Sequence, residues 1–132
     1  MKILETCLYV DDLDKAAEFY TSVLGFKFYS REDNRHLFLA GESAMLLLFN
    51  PAVTANEVDG MVPSHGAMGQ GHVCFEIEPG EEETYERLLT DHGIEIEKKV
   101  HFGPHLSIYF RDPAGNSLEF ATRRLWVKAL EQ

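Results

Sequence analysis

The feature that most constrains the fold is an internal repeat, because the second half of the chain restarts the pattern of the first. A shift of 67 positions (72 − 5) places Glu5 on His72 and Cys7 on Cys74. Each half reads as a strand, a helix and three further strands. A helix covers one face of a sheet, so two such halves can share the other face. We therefore expect an α+β fold of paired βαβββ modules, which form a cupped mixed sheet with the helices on its outer face.

The chain length of 132 residues suits one domain rather than two independent cores. We expect a single domain over 1–132, with module one at about 1–50 and module two at about 72–122. The stretch 51–71 is rich in Gly and Pro and has no sustained period, so it is interpreted as a long connection. The tail 123–132 is predicted to extend as a short helix with an apolar side.

The order of elements within each module follows from hydrophobic periodicity. The first module predicts a strand over 3–10, a helix from Leu13 to Leu24, a strand beginning near Phe26, and strands at 36–40 and 44–49. The second module predicts a strand over 72–78, a helix from Glu81 to His92, and strands near 94–97, 106–111 and 117–122.

Charge and hydropathy exclude several classes of function. The formal net charge of −10 argues against a protein that binds nucleic acid or an anionic membrane through its charge. No segment approaches the roughly 20 apolar residues that span a bilayer. Residues 1–5 reach an acid too early for a signal peptide. We expect a cytoplasmic protein whose partner is a small molecule.

Strand alternation turns a set of polar side chains to the face that the predicted helices leave free. These side chains are Glu5, His72, Glu76, Tyr109, Arg111 and Glu119. Leu4, Leu8 and Val10 are expected to pack under the first helix instead. Carboxylates that are partly buried on one face require a cation, protons or abundant water.

A divalent metal held by Glu5, His72 and Glu119 meets this requirement most simply. One imidazole and two carboxylates suit Mn, Fe, Co, Ni or Zn, and Glu119 or Glu5 could also carry a proton. The alternative is that each residue has an ordinary role. Glu5 would then be a solvated acid, His72 a satisfied histidine and Glu119 an ion-pair partner of Arg111.

Five further residues are candidates for substrate binding, and each has an ordinary alternative. The candidates are Tyr109, Arg111, Cys74, His65 and His105. Tyr109 could donate a hydrogen bond or only fill the wall, and Arg111 could orient an anion or pair with a nearby acid. His65 and His105 could line the cavity or lie in solvent-facing turns. Cys7 and Cys74 could form a reactive pair, but they are expected instead to be inert, partly buried thiols.

Several motifs resemble the vicinal oxygen chelate superfamily, which includes glyoxalase I, the fosfomycin- and bleomycin-resistance proteins and the extradiol dioxygenases. They are Leu8–Leu13 (LYVDDL), Phe19-Tyr20, Leu24–Phe26 (LGF), Gly71–Phe75 (GHVCF) and Tyr109–Glu119 (YFRDPAGNSLE). The resemblance covers nearly the whole chain. The closing motif is specific to the superfamily but not to one activity.

The resemblance implies a divalent metal, because Glu5, His72 and Glu119 match three ligand positions of the family. The fourth position of glyoxalase I falls on Leu46, which cannot bind a metal. The implied function is a metal-dependent enzyme that chelates two neighbouring oxygens of a small substrate and stabilises an enediolate or related oxyanion. The alternatives are an extradiol-type dioxygenase and a metal-free, bleomycin-resistance-like binding protein. A homodimer is also implied.

Overall fold

Two four-stranded mixed sheets, each built from one βαβββ module, form the computed structural model, which describes residues 1–131. In the first module, β1 (Glu5–Tyr9) is followed by α1 (Leu13–Glu18), a π-helical turn (Phe19–Val23), β2 (Lys27–Glu32), β3 (His36–Ala40) and β4 (Met45–Phe49). A short helix, α2 (Pro51–Thr54), follows in the connection. The α+β architecture with its repeated βαβββ order is confirmed.

The second module repeats this arrangement after the connection. Its elements are β5 (His72–Ile77), α3 (Glu82–Asp91), β6 (Lys98–Phe102), β7 (His105–Arg111) and β8 (Ser117–Thr122), and the tail adds a 3₁₀ turn (Arg123–Trp126) and α4 (Val127–Leu130). Gln132, the last residue of the predicted tail helix, lies outside the described residues.

The first and last strands of each module are parallel neighbours, and the other strand pairs are antiparallel. The strand orders are β1-β4-β3-β2 and β5-β8-β7-β6. The register repeats as well, because Cys7 lies opposite Leu47 and Cys74 lies opposite Glu119. Leu47 is therefore the position in the first module that corresponds to Glu119 in the second.

One face of the first sheet is a leucine layer that packs with α1. Its side chains are at most 3% exposed and comprise Leu8, Leu37, Leu39, Leu46 and Leu48. The helix begins at Asp12, whose carboxylate accepts a hydrogen bond from the backbone N–H of Lys15 at 3.0 Å. The helical segment ends before Gly25, whose φ of +76° lies in the left-handed region that favours glycine.

The second module builds its core in the same way. Leu89 of α3 and the strand residues Ile108, Phe110 and Leu118 are fully buried. Tyr85 brings α3 onto β8, since its ring centroid lies 4.7 Å from that of Phe120. The sequence pattern had placed these strand residues on the core side.

Two local predictions, on residues 94–97 and on Leu4, are wrong, and the connection contains one short helix that was not predicted. Residues 94–97 form no strand, because the ladder with β7 begins at Lys98; the alternation of Ile with Glu at 94–97 only imitates a strand pattern. Leu4 precedes β1 and is 76% exposed rather than packed under the helix. The connection contains α2, which Asn50 caps by accepting a hydrogen bond from the N–H of Ala52 at 3.1 Å.

The contacts divide the described chain into two compact units. One comprises residues 1–71 and 112–116, and the other comprises residues 72–111 and 117–131. The turn between β7 and β8 thus belongs to the first unit, whereas both strands belong to the second. Within residues 1–131, no helix is long and apolar enough to cross a membrane.

The Asp112 carboxylate organises this turn, and all of its donors come from the first unit. Its Oδ1 accepts hydrogen bonds from the backbone N–H groups of Ala114 at 3.0 Å and Asn116 at 2.8 Å. Its Oδ2 accepts from the Tyr20 hydroxyl at 2.7 Å and from Asn116 Nδ2 at 2.9 Å. These four donors stabilise a buried negative charge that would otherwise be costly.

Asn116 extends the network to the ends of two neighbouring segments. Its Nδ2 donates to the carbonyl of Tyr9 at 3.0 Å, and its Oδ1 accepts from the N–H of Gly71 at 2.8 Å. The side chain is 1% exposed, so each of these bonds satisfies a group that water does not reach. The turn at residues 112–116, in the middle of the Tyr109–Glu119 motif, therefore has a structural role.

Replacing Asn116 with Asp is expected to destabilise the protein. The substitution puts a carboxylate oxygen where an N–H₂ group donates to Asp112 and to the Tyr9 carbonyl, so attraction becomes repulsion. We expect a loss of at least about 2 kcal/mol in the free energy of unfolding, measured with urea at neutral pH. Asn56→Asp, at an exposed turn position, is the control. Equal stability of the two variants would contradict the role of the network.

The buried hydroxyl of Tyr20 should make the stability of the fold depend on pH in the alkaline range. Burial, and then the neighbouring Asp112 carboxylate, raise the pKa of Tyr20 above its usual value. A raised pKa in the folded state stabilises the fold fully below pH 10 and progressively less as the pH rises beyond it. Tyr20→Phe should cost about 2 kcal/mol near pH 7 and flatten the decline of the unfolding free energy above pH 10. An unchanged alkaline slope, or the same effect from the exposed-site control Tyr29→Phe, would refute this assignment.

Candidate functional site

The candidate site lies on the face of the second sheet opposite α3, here called the polar face. Alternate residues of β5, β8 and β7 form it, and its polar members include His72, Cys74, Glu76, Ser117, Glu119, Ser107, Tyr109 and Arg111. Five of these were predicted as site residues from the sequence. Parallel pairing of β5 with β8 brings His72 and Glu119 together although they are far apart in the sequence.

His72 and Glu119 form the central pair of the polar face. The Nε2 atom of His72 lies 3.3 Å from Oε2 of Glu119, and the side chains are 49% and 7% exposed, respectively. His72 Nδ1 lies 2.9 Å from the backbone carbonyl of Ser117. Because a carbonyl only accepts, Nδ1 must carry the proton of the neutral ring. The lone pair of Nε2 then faces a carboxylate oxygen, an arrangement that requires a proton or a cation between the two atoms.

The second oxygen of Glu119 is also unsatisfied. Within residues 1–131, Glu119 Oε1 and Ser107 Oγ are the buried side-chain polar atoms without a hydrogen-bond partner. A buried acceptor without a donor costs about 1–3 kcal/mol, and more when it is charged. An imidazole nitrogen and an unsatisfied carboxylate are the donor types that Mn, Fe, Co, Ni and Zn accept, so these residues fit a divalent cation.

A complete metal site of three ligands is not assembled in the structure. Across the described residues, no group of three or more His, Cys, Asp or Glu side chains is arranged to hold a metal ion. His72 and Glu119 supply two donors. Glu5, the third predicted ligand, lies on β1 in the first unit, where it is exposed.

Two neutral side chains flank Glu119 across its neighbouring strands. Cys74 and Tyr109 are its register partners on β5 and β7. Desolvation, followed by the charges of Glu119 and Glu76, raises the pKa of Cys74 to about 12. Desolvation and the Glu119 carboxylate likewise raise the pKa of Tyr109. Both groups are therefore protonated near neutral pH, and Cys74 is not a thiolate nucleophile.

The expectation of partly buried thiols is wrong, since Cys7 and Cys74 are both exposed and free. The raised pKa of Cys74 nevertheless keeps its thiol protonated.

Arg111 pairs with Glu97 rather than with Glu119. Its Nε donates to Glu97 Oε2 at 2.7 Å and its Nη2 donates to Oε1 at 3.1 Å, which is a bidentate ion pair. The guanidinium lowers the pKa of Glu97. Both residues line a groove of about 410 Å³ together with Gly93, Ile94 and Glu95. The ordinary alternative for Arg111 is thus present, and its role toward an anionic substrate stays a prediction.

The corresponding face of the first sheet, opposite the leucine layer, is largely apolar. Its residues are Glu5, Cys7 and Tyr9 on β1, Met45, Leu47 and Phe49 on β4, and His36 and Phe38 on β3. Leu46 lies in the leucine layer, so the sequence alignment that placed the fourth ligand position there is displaced by one residue. The corresponding position is Leu47, which cannot bind a metal either.

His65 and His105 are both partly buried. The Tyr9 hydroxyl and His65 Nδ1 are 2.7 Å apart, and the His65 ring packs edge-on against Phe49 at 4.6 Å. His65 is thus fixed on the first unit and does not point freely into solvent. His105 begins β7 opposite Phe102. Contacts of either histidine with a substrate stay predictions.

Sequence reasoning missed Ser107 as a member of the site. It placed Ser107 on the polar face by alternation but assigned it no role. Nothing in the sequence indicates that this hydroxyl is fully buried without a partner.

Comparison with known proteins agrees with the repeated fold and the closing motif. The sequence model of the Glyoxalase/Bleomycin resistance protein/Dioxygenase superfamily matches residues 2–120. A lactoylglutathione lyase from Agrobacterium tumefaciens is 37% identical with a TM-score of 0.89, over 95% of this chain and 96% of that chain. A glyoxalase/bleomycin resistance protein/dioxygenase from Nocardioides is 26% identical with a TM-score of 0.73, over 92% and 83% of the respective chains. The chain belongs to the glyoxalase/bleomycin resistance protein/dioxygenase superfamily.

Proposed function

We propose that this protein is a metal-dependent, glyoxalase-like enzyme acting on a small substrate with two neighbouring oxygens. Glu5, His72 and Glu119 are the proposed metal ligands. The supporting observation is the His72–Glu119 pair, in which an imidazole lone pair faces a buried carboxylate oxygen at 3.3 Å. The similarity to a lactoylglutathione lyase supports lyase or isomerase chemistry.

The environment of His72 supports a ligand role over a simple ion pair. A histidine that binds a metal through Nε2 usually donates its Nδ1–H to a backbone carbonyl or carboxylate, which fixes the ring and its tautomer. Ser117 supplies that carbonyl to His72. The same bond would also form in a structural histidine, so the Glu119 carboxylate oxygen that lies 3.3 Å from Nε2 is the second observation that favours a cation.

The proposed chemistry divides between the metal and the side chains. The metal, when bound, would supply Lewis-acid stabilisation of negative charge on the substrate oxygens. Glu119 and Glu5 are the proposed proton carriers, because carboxylates beside the reacting atoms can accept and return a proton. Glu119 is shielded from water, so its charge acts over a short distance with little screening. Contact of Tyr109 with a substrate stays a prediction.

A metal-free binding protein is the second candidate. The apolar side chains of Met45, Leu47, Phe49 and Phe38 on the first sheet favour it, because such a surface suits a hydrophobic ligand. Ligand binding that survives treatment with a chelator would favour this candidate over the enzyme.

We further propose that the protein is a homodimer, as the family resemblance implies. The tail leaves Trp126 61% exposed and Leu130 53% exposed, so it offers apolar side chains that a second copy of the chain could cover. Sedimentation equilibrium should give twice the chain mass, and a monomer at micromolar concentration would contradict the proposal.

Removing either ligand of the central pair should weaken metal binding. We expect His72→Ala and Glu119→Gln each to reduce the affinity for Mn²⁺, Co²⁺, Ni²⁺ or Zn²⁺ by well over about tenfold, since each removes a direct donor. Titration calorimetry on chelator-treated protein measures the affinity. Glu76→Gln is the matched control, because Glu76 is an exposed carboxylate on the same strand that pairs with Arg123. Metal affinity that is the same in Glu119→Gln and wild type would overturn the ligand assignment.

A pair of substitutions on β4 tests whether a carboxylate at the fourth ligand position strengthens metal binding. Leu47→Glu places a carboxylate at the position corresponding to Glu119, so metal affinity should rise by about tenfold or more if both modules contribute to one site. Leu46→Glu puts the same charge into the leucine layer, so it should unfold the protein. If Leu47→Glu folds and binds metal no more tightly than wild type, the proposed ligand set with Glu5 is wrong.

A further inference from the structure

The polar face contains two buried polar atoms that need a partner. Ser107 is 0% exposed and Glu119 is 5% exposed. Their Oγ and Oε1 atoms have no hydrogen-bond partner among the described residues. Orphaned buried groups are rare in folded proteins, so two on one sheet face require an explanation.

Tyr109 is a neighbour of both residues on the polar face. It is the register partner of Glu119 on the adjacent strand, and Ser107 precedes it by two residues on the same face of β7. A phenol hydroxyl can accept one hydrogen bond and donate another. The Tyr109 hydroxyl is therefore of the right type to accept from one orphaned group and to donate to the other.

We propose that Ser107 and Tyr109 are positioning residues for Glu119. Ser107 Oγ–H donates to the Tyr109 hydroxyl oxygen, and the Tyr109 O–H donates to Glu119 Oε1. This chain leaves Oε2 facing His72 and fixes the carboxylate in the orientation that the proposed metal site needs. The part concerning metal rests on the proposed function, whereas the hydrogen-bonded chain itself does not.

The stability of Ser107→Ala distinguishes the chain from an isolated hydroxyl. If Ser107 Oγ is truly unpaired, removing it relieves a desolvation cost and the melting temperature stays the same or rises. If Ser107 donates to Tyr109, the melting temperature falls. In the chelator-treated protein we expect Ser107→Ala to lower it, and we expect no further decrease when Ser107→Ala is added to Tyr109→Phe. Ser43→Ala and Tyr29→Phe, at exposed sites, are the controls.

Co²⁺ binding distinguishes a positioning role of Ser107 and Tyr109 from a purely structural one, because a purely structural role would leave it unchanged. Co²⁺ affinity from calorimetry and the visible absorption spectrum of the Co²⁺ protein report the ligand geometry. We expect Tyr109→Phe to weaken Co²⁺ binding by about 10–100-fold, as is typical when a hydrogen bond to a metal ligand is lost. Ser107→Ala should weaken it less, and the double variant should bind as Tyr109→Phe does.

Two results would overturn the proposal. One is a Tyr109→Phe variant that binds Co²⁺ within twofold of wild type with an unchanged spectrum. The other is a Ser107→Ala variant whose melting temperature is unchanged or raised, or whose effect is the same with and without the Tyr109 hydroxyl. If wild type binds no Co²⁺, the proposed function fails, and the melting temperatures of the metal-free variants alone decide whether the chain exists.

Discussion

The parallel pairing of the first and last strands of each module is the constraint on which the rest of the molecule depends. In the second module it places β5 beside β8, so that His72 and Glu119 meet although 46 residues separate them in the sequence (119 − 72 − 1). The helix covers one face of the sheet, and alternation sends these side chains to the other face. The same pairing in the first module places Leu47 where the second has Glu119, so equivalent backbones present different chemistry.

The buried carboxylate of Glu119 is the group on the second sheet around which the other polar side chains are arranged. A charge with so little access to water must be compensated, and the neighbouring strands offer a histidine, a thiol and a phenol. The thiol and the phenol stay protonated, so they can donate hydrogen bonds but cannot neutralise the charge. His72 is therefore the neighbour that decides whether a proton or a metal ion completes the site.

The sequence was sufficient to predict the repeat, most strands and the polar face, because these follow from alternation of polar and apolar residues. It failed at Ile94–Glu97, where alternation continues without a partner strand, and at Leu46, where a displacement of one residue reverses the face. The burial of Ser107, the bond between Tyr9 and His65, and the pairing of Arg111 with Glu97 depend on contacts between distant residues. No local pattern encodes such contacts, so they could be found only in the folded chain.

The protonation and metal binding of His72 test the central claim most directly. Nitrogen-15 NMR of the imidazole distinguishes a protonated Nδ1 from a protonated Nε2 and detects a metal at either atom. We expect Nδ1 to carry a proton in both metal-free and metal-bound protein, and we expect a large change at Nε2 alone when Zn²⁺ is added. An Nε2 resonance that does not respond to saturating Zn²⁺, or a ring whose only proton is on Nε2, would contradict this account of the site.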